Sequence, residues 1–222
     1  MIEVRDDPAA DVAELLEAAA VAGGHVVLTG GTSPQRAYEL AAERAADWSR
    51  ATVWFGDDRA VPPGDPHSNF GMADAALLSR LGRPPRVMRM EGERGPMEGA
   101  DAYEAQVRAE LGDQPGWDLL LLGLGPDSHV ASLFPGRPEL DERARLVVGV
   151  PEAGMEPHVP RISMTLPCIN AARHIVFLVT GESKAEAVRR AFGDPPDPTS
   201  PGARVRPAAG ELTVLVDRAA AP

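Results

Sequence analysis

Cysteine, basic residues and long apolar segments are scarce in this chain, and each scarcity excludes a class of protein. The single cysteine, Cys168, excludes an internal disulfide framework and a cysteine-based metal cluster. No segment reaches the roughly 18 consecutive apolar residues that a membrane-spanning helix needs, and the N-terminal segment lacks the pattern of a secretory signal. We therefore expect a cytoplasmic protein with no membrane partner.

The charge balance narrows the range of partners further. Asp and Glu number 33 against 22 Lys and Arg, which gives a formal net charge of −11 and argues against binding to nucleic acid. An anionic small substrate is compatible with this charge only where a site concentrates positive charge of its own. The few well-placed basic residues are therefore more informative than the overall balance.

Length and hydrophobic pattern predict a single α/β domain over residues 1–222, with 44% apolar and 25% charged residues. Strands that alternate with helices of ten or more residues require right-handed crossovers, which predicts a mostly parallel sheet flanked by helices. The predicted strands are 25–29, 52–56, 86–90, 117–122, 146–150, 161–164, 174–180 and 212–216. The predicted helices are 8–21, 34–46, 69–81, 97–111, 166–170 and 182–192.

The most informative segment is DLLLLGLGPDSHVASLFPG, residues 118–136. Its four consecutive leucines are typical of a strand buried on both faces, and the glycines after them allow a sharp turn close to a ligand. Asp127 and His129 follow at the carboxyl end of this strand, where ligands bind in open α/β sheets. Histidine accepts a proton near neutral pH and a carboxylate can orient it, so the pair is a candidate for general-base catalysis. The alternative is a polar turn in which His129 caps the next helix.

A second candidate is LTGGTSP, in which Gly30, Gly31, Thr32 and Ser33 connect a predicted strand to a helix. Backbone amides at a helix N-terminus attract anions, and glycine lets a phosphate approach them closely. The segment matches neither a dinucleotide-binding nor a triphosphate-binding loop, because it lacks their glycine spacing and the lysine. It predicts a site for one phosphate group or, alternatively, a tight turn in which Thr32 or Ser33 caps the helix.

The loop after the 52–56 strand is dense in polar side chains, among them Asp57, Asp58, Arg59 and Asn69. Burying such groups is unfavourable unless they are solvated or bind a ligand. Two adjacent aspartates could hold a divalent metal, but Arg59 next to them and the lack of further carboxylates make this the less favoured reading. We expect the polar groups of this loop to hydrogen-bond to hydroxyl groups, with Arg59 as a cation or a structural clamp.

Two further basic residues are candidates for the same pocket. Lys184 lies in the first turn of a predicted helix, where a lysine opposes the helix dipole, and an anion held there would explain its position. The alternative is a solvated surface lysine. Arg161 opens another predicted strand and is a candidate for the same pocket.

The segments GGTSP, GDDRAVPPGDPHSN, LLGLGPDSHVASLFPG, RISMTLPCIN and VTGESKAEAV, in this order, resemble the 6-phosphogluconolactonase family. The resemblance covers nearly the whole chain and implies a Rossmann-like three-layer α/β fold, which that family shares with glucosamine-6-phosphate deaminases. It implies hydrolysis of 6-phospho-D-glucono-1,5-lactone in the oxidative pentose phosphate pathway, without a metal or organic cofactor. We expect the partner to be this phosphorylated sugar lactone and the protein to be a monomer or a weak homodimer.

The resemblance also implies a role for each candidate residue. His129 would be the general base that activates water, and Asp127 would orient it. The phosphate would be held by Gly30, Gly31, Thr32 and Ser33 together with Lys184 and Arg161. Asp57, Arg59 and Asn69 would contact sugar hydroxyls or the developing oxyanion.

Three positions depart from the family pattern. Ser128 and Val130 replace the usual glycine and threonine beside His129, and Asp58 replaces a glutamate. If position 128 needs a positive φ, serine is strained there by roughly 1 kcal/mol or more. Two other functions remain open from the sequence: an aminosugar-phosphate deaminase or isomerase, and a non-catalytic sugar-phosphate sensor.

Overall fold

The computed structural model describes residues 2–222, and within them the chain forms ten strands in two sheets. In chain order, β1 to β10 span Ile2–Val4, His25–Leu28, Thr52–Phe55, Asp57–Arg59, Arg86–Val87, Leu119–Leu122, Val147–Val150, Arg161–Met164, His174–Val179 and Glu211–Val216. The larger sheet has the order β1-β10-β9-β6-β2-β3-β5, and all its strand pairs are parallel. The predicted parallel sheet is confirmed. Strand β1 was not predicted from the sequence.

Six α-helices lie within the same residues. Helices α1 to α6 span Pro8–Val21, Thr32–Glu43, Asn69–Ala76, Pro96–Leu111, Leu166–Asn170 and Ala185–Phe192. The helix predicted over 69–81 ends at Ala76, and the one predicted over 182–192 begins as a 3₁₀ turn, Glu182–Lys184. The strand predicted over 86–90 is limited to its first two residues.

The core lies on both faces of the parallel sheet, which gives the molecule three layers. Along β6, Leu119 and Leu121 pack with α1 and α2, whereas Leu120 and Leu122 pack on the opposite face with α4 and α6. All four leucines are buried. Apolar side chains on both sides of one strand are stable only when helices cover both faces of the sheet, so the leucine run correctly predicted this arrangement.

A smaller antiparallel sheet, in the order β4-β8-β7, packs against α4. Strand β4 follows β3 after a single residue, Gly56, whose carbonyl accepts the Met164 N–H at 2.8 Å. The sequence predicted a loop for residues 57–59, which was wrong. Residues 57–59 are two aspartates and an arginine, so they lack the alternation of apolar and polar residues that indicates a strand. The pairing of Asp58 with Ile162 could therefore not be predicted from the sequence pattern.

Because the larger sheet is parallel, the carboxyl ends of its strands meet at one edge. Thr29, Gly56, Gly123 and Thr180 follow the ends of β2, β3, β6 and β9 at this edge. The loops that carry the candidate site residues therefore converge there. Among residues 2–222, no helix has the length and apolar character needed to cross a membrane.

Candidate active site

A cavity of about 420 Å³ opens at the carboxyl edge of the parallel sheet. All predicted site residues except Asp127 line this cavity, and Asp127 contacts His129, which lines it. The structure thus brings all the residues predicted for the site to one place. The predicted residues that line the cavity are Gly30, Gly31, Thr32, Ser33, Asp57, Arg59, Asn69, His129, Arg161 and Lys184.

His129 and Asp127 form a hydrogen-bonded pair beside the cavity. The Nδ1 atom of His129 lies 2.6 Å from Oδ1 of Asp127, which also accepts the His129 backbone N–H at 3.1 Å. Burial acts to raise the pKa of Asp127, but the hydrogen bonds and charge of His129 outweigh it and hold that pKa below its ordinary value. The ionised carboxylate therefore fixes Nδ1 as the donor, and Nε2 is the nitrogen that remains for a ligand in the cavity.

A tight turn of residues 125–129 presents this pair. The Ser128 N–H donates to the Gly125 carbonyl at 2.9 Å, and the Gly125 N–H donates to the His129 carbonyl at 3.0 Å. A Cβ on residue 125 would lie 2.0 Å from Nδ1 of His129, so only glycine fits. Ser128 has φ +67°, the condition under which strain was expected. The residues that follow form no helix, so the alternative interpretation of His129 as a helix cap was wrong.

The predicted phosphate loop lies at the N-terminus of α2. Gly31, with φ +114°, is the N-cap residue, and no side chain caps the helix, so the predicted cap by Thr32 or Ser33 was wrong. The first-turn amides are therefore not occupied by a side chain and remain available to an anion. The Ser33 hydroxyl instead hydrogen-bonds Oγ1 of Thr180, which ties the loop to the end of β9.

Asp57, Arg59 and Asn69 form one hydrogen-bonded network that lines the cavity next to Gly30. The Asn69 amide donates to the Asp57 carbonyl oxygen at 3.0 Å and accepts from Nη1 of Arg59 at 2.9 Å. A Cβ on residue 30 would lie 2.0 Å from Oδ1 of Asn69, so Gly30 is required for this network as well. The buried Nε of Arg59 has no protein partner among residues 2–222, and an oxygen of a ligand would satisfy it.

Asp58 has a structural role that separates it from Asp57. Its carboxylate accepts the backbone N–H groups of Arg59 at 2.7 Å, Asn69 at 2.6 Å and Phe70 at 3.1 Å. Burial raises the pKa of Asp58 to about 6, although these hydrogen bonds act in the opposite direction. Asp58 therefore fastens the start of α3 to β4, while Asp57 lines the cavity.

The three basic side chains of the cavity share a property that most other basic side chains lack. Among residues 2–222, Arg59, Arg161 and Lys184 form no ion pair with a carboxylate. Arg161 is buried and donates only to the carbonyls of Val159 and Pro157. Burial lowers the pKa of Arg161 and of Lys184, and for Lys184 the charge of Asp127 opposes this effect. A buried cation without a counter-charge is unfavourable, and Arg161 is buried while Arg59 and Lys184 are half-buried, so the cavity is suited to an anion.

A second, larger cavity of about 790 Å³ lies at the amino edge of the sheet and is also lined by arginines. Here Arg108 pairs with Glu104 at 3.0 Å, Arg145 with Asp101 at 2.6 Å and Arg173 with Asp118 at 2.5 Å. Its charges are already neutralised by the protein, and no histidine lines it. The smaller cavity is therefore the candidate active site despite its size.

Sequence reasoning missed two buried residues of the segment after His129. The Ser132 hydroxyl donates to Oδ2 of Asp57 at 2.8 Å, and the Phe134 ring lies 4.7 Å from the His129 ring, measured between centroids. The only signal in the sequence was that both follow a candidate base within five residues. The partner of Ser132 is distant in the sequence, and both contacts became visible only in the fold.

Comparison with known proteins agrees with this geometry. The family model of glucosamine-6-phosphate isomerases/6-phosphogluconolactonase matches residues 3–214. A 6-phosphogluconolactonase of Streptomyces coelicolor is 40% identical over 226 residues, which covers 95% of this chain and 86% of the relative. A 6-phosphogluconolactonase structure from Trypanosoma cruzi superposes with a TM-score of 0.85 at 28% identity, over 99% of this chain and 94% of that one.

The same fold also carries a different chemistry. The structure of a monomeric glucosamine-6-phosphate deaminase superposes with a TM-score of 0.83 at 20% identity, over 99% of this chain and 97% of that one. At this identity the likeness concerns the fold alone, so the fold does not separate the two activities. From the family match and the identity to its relatives, this chain belongs to the glucosamine-6-phosphate isomerase/6-phosphogluconolactonase family.

Proposed function

We propose that this protein hydrolyses 6-phospho-D-glucono-1,5-lactone to 6-phospho-D-gluconate in the oxidative pentose phosphate pathway. The observation that carries the proposal is the His129–Asp127 pair facing a cavity in which three cations have no carboxylate partner. A phosphorylated lactone supplies both an anion for the cations and an electrophilic carbonyl for water activated by the base. The names of the relatives support the same reaction.

In the proposed mechanism, Nε2 of His129 takes a proton from a water molecule as the water oxygen attacks the lactone carbonyl carbon. Asp127 stabilises the imidazolium that forms, because its carboxylate accepts the Nδ1–H. The tetrahedral intermediate then collapses, the bond from the carbonyl carbon to the ring oxygen breaks, and that oxygen receives the proton from His129. No covalent enzyme intermediate is needed, since a lactone is already an activated ester held in place.

The remaining residues divide into two groups. We assign the phosphate to the amides of Gly30–Ser33 together with Lys184 and Arg161, which line the same cavity. We assign the sugar hydroxyls to Asp57, and the sugar hydroxyls or the developing oxyanion to Asn69 and to Arg59, the latter with a buried Nε that lacks a partner in the described chain. No metal or organic cofactor takes part in these steps.

The second candidate function is an aminosugar-phosphate deaminase or isomerase, because the matching family model also covers glucosamine-6-phosphate isomerases and a deaminase shares the fold. That chemistry would use the same phosphate site. The identity to the lactonase of Streptomyces coelicolor, at 40%, favours the hydrolase. A sensor that binds without turnover is the third outcome that an experiment has to separate.

Three assays on the purified protein distinguish these functions. We expect the wild-type protein to accelerate loss of 6-phosphogluconolactone, and His129→Ala to lower kcat by about 10²- to 10⁴-fold while product binding survives. His67→Ala, which changes an exposed histidine outside the cavity, is the matched control. Unchanged hydrolysis in His129→Ala would exclude His129 as the base. Ammonia release from glucosamine 6-phosphate would identify a deaminase, and binding without turnover a sensor.

Lys184 allows a second test, which concerns the phosphate site. Among the 22 Lys and Arg residues it is the only lysine, so a reagent that modifies lysine side chains acts on it alone. We expect Lys184→Ala to raise KM for the phosphorylated lactone by about tenfold or more and to leave the unphosphorylated lactone little changed, since a charge-assisted hydrogen bond is lost. Acetylation of lysine in the wild-type protein should have the same effect and should have none on Lys184→Ala. Equal effects on both lactones would contradict the assignment.

We further propose that residues 1–222 act as one domain in the cytoplasm, as a monomer or a weak homodimer. The described chain supports the single domain, because one hydrophobic core on each face of the sheet connects its N-terminal and C-terminal elements. Strand β1 pairs with β10, so the two ends of the chain are part of the same sheet. Sedimentation at several protein concentrations would measure the oligomeric state.

A further inference from the structure

One buried aromatic ring contacts both the candidate base and a cation of the candidate phosphate site. Phe134 is 1% exposed, and its ring centroid lies 4.7 Å from that of His129 with the ring planes at 42°. On the same ring, the guanidinium carbon of Arg161 lies 6.0 Å from the centroid. Phe134 itself does not line the cavity. It has no role in the chemistry proposed above.

The surroundings of Phe134 hold the ring in one position. Val150 and Ala153 pack against it, and a Cβ on residue 154 would lie 2.8 Å from the ring, so glycine is needed there for the chain to pass. Close packing of this kind leaves a side chain little freedom to shift. The backbone of the segment is fastened as well, since the Leu133 N–H donates to the Val130 carbonyl at 2.9 Å and both side chains are fully buried.

Arg161 depends on this ring more than an ordinary arginine would. No carboxylate among residues 2–222 pairs with it, and its Nε and Nη2 donate to the backbone carbonyls of Val159 and Pro157. These bonds orient one edge of the guanidinium, and the Phe134 ring supports its face through a cation–π contact. The remaining donors are then held toward the cavity that Arg161 lines.

We propose that Phe134 is a positioning residue that sets the spacing between the base His129 and the guanidinium of Arg161. This inference rests on the proposed function, because it concerns how a phosphorylated lactone is held against the base. In that substrate the carbonyl carbon and the phosphorus are connected through the ring oxygen, C5, C6 and the ester oxygen, so the distance between them is limited. A rigid ring in contact with both His129 and Arg161 keeps the base at a fixed distance from the guanidinium that binds the phosphate. Small misplacements of reacting groups have large effects on rate.

The experiment compares Phe134→Leu with Phe192→Leu on two substrates, 6-phosphogluconolactone and unphosphorylated gluconolactone. Phe192 is a matched control, because its ring packs on Phe177 at 5.0 Å, outside the cavity. We expect Phe134→Leu to lower kcat/KM for the phosphorylated lactone by about tenfold or more, mainly through kcat, and to lower the preference for phosphate. The pH at half-maximal activity should also shift, because the surroundings of His129 change. Phe192→Leu should alter neither the preference nor the pH profile.

A double-mutant cycle with Arg161→Lys tests whether Phe134 acts through Arg161. Each single variant should lower the preference for the phosphorylated lactone. The double variant should lower it by less than the sum of the two single effects, because the effects of residues that act as a unit are not additive. Additive losses would overturn the coupling. Phe134→Met, a flexible unbranched side chain without a ring, replaces Phe134→Leu if that variant does not fold. Wild-type preference and pH profile in a folded variant would overturn the proposal.

A measurement without turnover separates this inference from the proposed function. In NMR spectra the His129 ring protons lie within the ring current of Phe134, so Phe134→Leu should move them and Phe192→Leu should not. Inorganic phosphate should perturb the same resonances in the wild type and perturb them less in Phe134→Leu. A wild type that does not hydrolyse the lactone but shows these NMR effects would refute the function and keep the positioning role. Phosphate responses equal in wild type and Phe134→Leu would refute the positioning role alone.

Discussion

Ser128 occupies a backbone conformation that favours glycine, with φ +67°, and it is fully buried. Its hydroxyl donates to the Asp127 carbonyl at 2.6 Å, and its own carbonyl accepts the Gly202 N–H at 3.0 Å. The turn that presents His129 is therefore held in place by Ser128, although the backbone of Ser128 is strained. The strain and the hydroxyl hydrogen bond are similar in magnitude, about 1 kcal/mol each, so a single substitution would mix them.

A pair of variants separates the two effects at Ser128. Both Ser128→Ala and Ser128→Gly remove the hydroxyl, but only glycine relieves the positive φ. We expect Ser128→Gly to be about 1 kcal/mol more stable than Ser128→Ala in urea unfolding. Equal stability of the two variants would show that the backbone at this position carries no strain.

The two adjacent aspartates show how far residue-level prediction could go. Asp57 and Asp58 have the same side chain and neighbouring positions, and the sequence predicted a role in binding for Asp57. The structure assigns Asp58 to the backbone of α3 and Asp57 to the cavity. The difference arises because successive residues of a strand point to opposite faces, and the sequence did not predict a strand there.

At the scale of elements, the start of helix α3 depends on a carboxylate from strand β4. Asp58 accepts the N–H groups of Asn69 and Phe70, while Ser68 caps the same helix by accepting the Gly71 N–H at 3.1 Å. Asn69 is thereby placed where its side chain meets Asp57 and Arg59. The capping of α3 and the geometry of the cavity wall are therefore connected.

Asp58→Asn tests this connection. The amide offers fewer acceptor positions to donors that are already buried, so we expect a loss of about 1–3 kcal/mol in the free energy of unfolding, together with reduced kcat/KM. Asp65→Asn is the control, because Asp65 accepts the His67 N–H at 2.8 Å at the surface of the same loop. Denaturant unfolding and steady-state kinetics on both variants give the comparison. Wild-type values for Asp58→Asn would argue against a role of Asp58 in holding α3.

At the scale of the whole molecule, an acidic protein keeps a cationic cavity. The chain carries a net charge of −11, yet Arg59, Arg161 and Lys184 converge without ion pairs in the described chain. Most arginines elsewhere are paired, including those around the second cavity. Charge is thus distributed so that an anionic ligand meets unneutralised cations at one place.

Chelation tests the expectation that catalysis uses no metal. Residues 2–222 contain no group of three or more His, Cys, Asp or Glu side chains placed to hold a metal ion. We expect kcat/KM of the wild-type protein to be unchanged after dialysis against EDTA. Loss of activity that divalent ions restore would contradict this expectation and would point to a site that the protein completes with its substrate.

By itself, the sequence determined the parallel sheet and the edge of the sheet at which the candidate site residues meet, because both depend on local pattern. The run Leu119–Leu122 requires burial on both faces, and the glycines after it require a turn at the carboxyl edge. Only the tertiary structure decided that residues 57–59 pair with β8, that Ser132 reaches Asp57 and that the Phe134 ring contacts both His129 and Arg161. Except for the contact of Phe134 with His129, five residues before it, these contacts join residues far apart in the chain, and no periodicity in either segment encodes its partner.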